Sequence, residues 1–528
     1  MRRRAFLLAL FAAALAAAAC SSGGGNGTLP PPPPLGFSNS SLKGQYAFIM
    51  TGQATDGFLL ARIGTFIADG NGNIQGGTEL VDTFSNNFQQ LAFSSGTTYQ
   101  VNADGRGAMT LLNTSGPTSY SITFTSPTAG YICETDGGNG TSGTFELQDS
   151  SAFSPTAVTG PFVFDASGQD GNRNADSIIG QIVLNSGPVQ GGVYDENDAA
   201  VASNPVTITN GSFTVVDNTN GLATLSFNNN NFQYGVVIVN SKKFHMIEIP
   251  PVGSDVPITI GTANAQSAPP STNPAFASGF VFLTSGSGTT TADFKVGRFT
   301  ADGNGNLGSI AMDEKLLGAS VTQIPKGTLS AMTYSVDASL PDSGRVTISF
   351  LDSSNKQPYQ FIAYMASSTQ GFIQDNSPGI VGDGQILAQT GAPFSNGSVA
   401  ADYGFNWSGI SRNNTNNVTA EEDFVGHVTV SSATSSNVIG AMDFSELSSN
   451  QGAFHDSALN GTLTINGDGT TSSGNRSTLK VTAAGTNGGP STTFNFSLYP
   501  VNASTMFVIN TDTDHSTGGV FTKQITPP

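Results

Sequence analysis

Cysteine is almost missing: the 528 residues contain two, Cys20 and Cys133. Because Cys20 closes an N-terminal apolar segment, Cys133 has no partner for an intramolecular disulfide, and stability has to come from buried cores. Tryptophan occurs once, at Trp407, and charged side chains make up only 11% of the chain. Basic residues are the scarcer sign, 19 Lys and Arg against 37 Asp and Glu, for a formal charge of −18. An acidic body has no electrostatic reason to bind nucleic acid or an anionic membrane surface. Beyond the N-terminal segment, no stretch is apolar for long enough to span a bilayer as a helix. Also lacking are a Gly-x-Ser-x-Gly elbow, a phosphate loop, a zinc signature and paired catalytic carboxylates. An enzyme is therefore the last function class this sequence suggests.

What is abundant describes short strands and turns: 64 Gly, 35 Phe and many Ser, Thr and Asn. One stretch recurs. Residues 64–74 contain Phe66, Asp69-Gly-Asn71-Gly-Asn73 and Ile74, and 233 positions later come Phe299, Asp302-Gly-Asn304-Gly-Asn306 and Leu307. Alternation into Asp-Gly-Asn-Gly and out again predicts an antiparallel hairpin, and its recurrence predicts a chain built from copies of one unit.

Two further markers count the copies. An aromatic-x-Phe-x-x-Ser/Thr-Gly opening appears at Tyr46/Phe48, Phe162/Phe164, Phe280/Phe282 and Tyr403/Phe405, and a closing Gly-x-x-x-x-Gln ends at Gln148, Gln266, Gln389 and Gln524. Pro/Ser/Thr-rich linkers lie between closings and openings. Within each unit, strand-like segments with period-two alternation follow in the same order, about eight per 120 residues. The expected fold is all-β: four tandem antiparallel units of about eight strands each. Closing each sheet on itself would remove its unpaired edges, and a two-sheet sandwich is the alternative. The boundaries are 1–19 for a signal segment, 20–36 for a tether, and 37–153, 154–271, 272–394 and 395–528 for units 1 to 4. Only the odd units carry the Asp-Gly-Asn-Gly-Asn turn, which predicts that units pack in pairs.

Met1-Arg2-Arg3-Arg4, the apolar run Ala5 to Ala19 and Cys20 resemble a bacterial lipoprotein signal peptide; a plain secretory signal is the alternative. The resemblance implies that Cys20 is lipidated and is the contact with the membrane, and Ser21 and Ser22 imply outer-membrane sorting. Removing three arginines with the signal would leave a body of charge −21. The Ser/Gly-rich segment with Pro30 to Pro34 is a stiff, extended tether. Strand count, order and unit length are similar to the up-and-down barrels of lipocalins and avidins, with Tyr or Phe where those families carry Trp. The whole pattern resembles tandem-repeat lipoproteins of soil acidobacteria, a group from which no activity carries over.

Candidate chemistry is sparse. Asp69, Asn71, Asn73 and Asp302, Asn304, Asn306 have the one-three-five oxygen spacing of a calcium loop, yet Ile74 and Leu307 stand where that loop needs Gly. A tight turn explains the same residues, and a weak calcium site is the competing reading. His245, His427, His455 and His515 lack metal-ligand spacing, and Cys133 sits inside a strand pattern as a structural thiol. No catalytic residue is assigned, and no ligand-binding residue or cofactor. The function these observations favour is a non-catalytic cell-envelope lipoprotein that presents tandem β modules for surface structure or adhesion. The alternative is a binding protein for a small apolar or glycan ligand held in open barrels, which Phe66, Tyr99 and Phe124 would either line or fill.

Overall fold

The computed structural model describes residues 36–527, apart from 84–87, 204, 252–256, 289–291, 356, 414–417, 432–435, 448–451, 467–475 and 486–490. Cys20 lies outside the described residues. Among them the only helical pieces are single 3₁₀ turns; everything else regular is antiparallel strand. The strands form four sheets, each built from consecutive segments, within 43–147, 160–265, 279–388 and 402–523.

All four curl into barrels or near-barrels, so the barrel prevails over the sandwich. The fourth is a closed ring of eight strands, in which Asp402–Asn413 pairs with both Val418–Val430 and His515–Lys523. The second closes through pairing of Ala175–Leu184 with Pro188–Asp198. The first and third are nine-stranded sheets whose ends approach through the bridges Asn73 to Thr98 and Asn306 to Thr333. Period-two alternation drives this curling: one face of each strand carries aromatics that must leave water. Phe48, Phe66, Phe124 and Phe145 meet at the first barrel's centre. Phe48 lies against Gly64 on the neighbouring strand, where an added Cβ would come within 2.5 Å of the ring. Trp407 is fully buried in the fourth barrel, stacked on Phe405 at 4.1 Å. Each barrel has such a filled core, so an apolar ligand at the centre would have to displace these rings.

The strands' other faces are buried too, because the barrels pack on one another. Ala47, Ile63 and Leu80 of the first meet Leu222, Val237 and Ile247 of the second. Val163 and Ile179 of the second meet Ile362 and Tyr364 of the third, and Val281 and Val296 of the third meet Tyr499 and Ile509 of the fourth. Tyr131 and Cys133 of the first meet Val425 of the fourth.

The closing glutamines explain this order. From Nε2, Gln148 donates to the Ile238 carbonyl (2.6 Å), Gln266 to those of Ser343 and Met365 (2.8 and 3.0 Å), and Gln389 to that of Pro500 (2.7 Å). Each reaches into the next barrel. Gln524 does the same to Phe124 and Asp104 (2.7 and 3.0 Å), back in the first. The residue after each glutamine repeats the step, donating its backbone N–H to Val239, Ala366, Val501 or Thr125. Four barrels thus close into a head-to-tail ring with four seams. The expectation that units pack in pairs is overturned, because buried contacts of the same kind join the barrels at all four junctions.

Candidate functional site at the barrel mouths

Asp69 Oδ1 accepts from the backbone N–H of Asn71 (2.6 Å) and Asn73 (3.0 Å), and Oδ2 accepts from Asn73 Nδ2 (2.8 Å). Asp302 repeats this with Asn304 and Asn306. Gly70 and Gly72 supply the positive φ angles, 81° and 102°, that the turn requires. Each carboxylate is committed to its own loop, which a calcium ion would have to break. Those same bonds hold Asp302 down to about 2. Sequence reasoning missed a third copy. Asp170 Oδ1 accepts from Asn172 and Asn174 N–H (2.8 and 2.7 Å), but one hairpin earlier, at the opposite end of its barrel.

Cys133 is fully buried at the seam between first and fourth barrels, and burial pushes its thiol up. His245 is fully buried, with Nδ1 3.0 Å from Thr262 Oγ1, and burial pulls its pKa well down. His427 Nε2 lies 3.4 Å from Asp402. The side chain of His455 is outside the described residues. These histidines do not converge, and among the described residues no three Asp, Glu, His or Cys side chains form a metal-binding group.

What does converge is charge inside one end of each barrel, from the same register position for Arg62 and Lys295 but from the last strand for His515. In the first, Arg62 reaches Glu79 (3.3 Å), Glu134 (3.4 Å) and Tyr120 Oη (3.4 Å), and Asn113 Nδ2 donates to Glu79 (2.5 Å). Burial works against the guanidinium's charge, yet Tyr120, Glu134 and Glu79 more than offset it. Arg62, Glu79 and Asn113 floor a cavity of about 430 Å³ that Asp56, Asp136 and Asn139 also line. In the third barrel Lys295, 1% exposed, takes the place of Arg62, with Asp293 at 2.5 Å, Asp375 at 2.9 Å and Glu314 at 3.2 Å. In the fourth, His515 Nδ1 sits 2.8 Å from Glu422 Oε2. Burial pulls His515 down, but the charges of Glu422, Glu446 and Asp512 lift it to about 9, so an imidazolium is the cation there.

The signal for these groups was present as a basic residue flanked by apolar neighbours within a strand, Ala-Arg62-Ile and Phe-Lys295-Val. In three barrels a cation is thus held among carboxylates. None pairs a nucleophile with a free base.

No protein-family profile matches the chain, and no curated protein does. Among solved structures the chain is similar to a single-site mutant of transferrin binding protein B from Haemophilus parasuis Hp5, at 8% identity over 76% of this chain and 83% of that one, with a TM-score of 0.19. A double mutant of that protein gives 9% identity over 76% and 84%, TM-score 0.19. Intact Ap-TbpB, with its N and C lobes, gives 9% over 75% and 83%, TM-score 0.17.

Proposed function

We propose that the chain is a non-catalytic cell-envelope lipoprotein, anchored through lipid on Cys20, whose ring of barrels acts as a rigid module for surface structure or for holding a protein or glycan partner. The observation that carries this reading is the closed ring itself: buried seams on all four sides turn tandem units into one block, an arrangement suited to presenting loops at fixed separations. The filled cores agree with it, since they spend the barrel interiors on stability. An acidic body fits no nucleic-acid role.

The test is fractionation of cells expressing the full chain or Cys20→Ala. The wild-type protein should enter the detergent phase with the outer membrane, and the variant should be released as a water-soluble protein. Equal partitioning of the two would end the anchored reading.

A further inference from the structure

The second barrel breaks the rule of the others. Register aligns its strands with those of the third barrel: Phe164 faces Gly180 as Phe282 faces Gly297, and Met246 faces Gly261 as Ile373 faces Gly384. Asp176 then corresponds to Asp293, Glu196 to Glu314 and Glu248 to Asp375. All three carboxylates that surround Lys295 have a carboxylate counterpart. The position of Lys295 itself is Ile178, which faces Glu196 as Lys295 faces Glu314.

We infer that the mouth of the second barrel binds a primary ammonium group of a small soluble amine, in the place that the Lys295 side chain fills in the third barrel. Asp176 is 6% exposed and Glu248 5%, while Glu196 is half-buried and the most exposed of the three. Buried carboxylates without a cation are costly and demand donors. Thr259 supplies one, from Oγ1 to Glu248 at 2.7 Å. Asp176 Oδ1 has none, and the Tyr234 hydroxyl is fully buried beside Thr259 and faces the trio. Burial and mutual repulsion lift Asp176 to about 8 and, by burial chiefly, Glu248 to about 7, as befits sites awaiting positive charge. The three do not close to metal-ligand geometry, whereas an ammonium, with three N–H donors, bridges wider gaps, as Lys295 does.

The probes are n-butylamine and 1,4-diaminobutane, with n-butanol and calcium chloride as controls, titrated by calorimetry against the full chain in detergent at pH 8. The amines should bind saturably at one site and n-butanol should not. Glu196→Gln, at the most exposed of the three, should weaken amine binding about tenfold or more. Ile178→Lys should abolish it by supplying a tethered ammonium, and should melt no lower than wild type. No saturable amine binding, or amine binding unchanged in both variants, overturns the inference. So does saturable binding of calcium alone, which would make the trio a metal site.

Discussion

Arg345 and Asp195 meet across the seam between third and second barrels in a bidentate pair, Nε to Oδ2 at 2.7 Å and Nη2 to Oδ1 at 2.8 Å, with the Tyr364 hydroxyl donating to Oδ2 at 2.7 Å. Equivalent positions carry Arg476 with Asp313 at 3.0 Å between fourth and third, and Arg106 with Asp443 at 3.9 Å between first and fourth, where Arg106 also holds Asp456 at 2.7 Å. At the remaining seam both partners are apolar: Leu222 stands for the arginine and Leu80 for the aspartate, in one cluster. A buried ion pair and a well-packed apolar pair are alternative solutions to one contact, while half of either is not. Arg345→Ala should therefore destabilise by about 3–5 kcal/mol, since it strands Asp195. The double change Arg345→Leu with Asp195→Leu should recover most of that loss; denaturant melts of the two variants check it.

At the level of strands and turns, the Asp-Gly-Asn-Gly-Asn hairpins are held by side-chain acceptors that already serve backbone and amide donors. Adding calcium or EDTA should leave the melting temperature unchanged, whereas Asp69→Ala with Asp302→Ala should lower it; differential scanning calorimetry on the full chain reads both. Strand count and order were legible in the sequence because alternation of Phe, Tyr and Ile with Ser and Thr has one physical meaning, a sheet wet on one side or packed on it. The chemistry of the mouths was not. Arg62, Lys295 and Ile178 become equivalent only when register is known, and the turn at Asp170 sits on a different hairpin, with Arg173 where the other two copies have Gly. The glutamines were seen as punctuation; that they grip the next barrel depends on a packing partner some 70 to 110 residues away, or 400 for Gln524.

Across the whole molecule, folding raises many proton affinities. Burial lifts Asp176 and Asp423 to about 8, Glu248 to about 7 and Asp293 and Asp383 to about 6, and His515 stands at about 9. The native state then holds protons that the unfolded chain releases, so each contribution is complete below the unfolded pKa and is lost as pH rises through the folded one. Asp302, lowered to about 2, acts the other way, below about pH 4 only. Stability should peak near pH 4–5 and decline steadily to pH 9, as thermal melts across that range would report. The ring has one more effect. Phe37 and Gln524 both pack against Gly105, so the folded chain's two extremities arrive at the same spot. The seam without a peptide linker is fastened by the same kind of latch as the three that have one, which leaves the ring without a privileged origin. A gene rearranged to begin at Gly160, its old ends spliced, would encode the same set of neighbours in a rotated order.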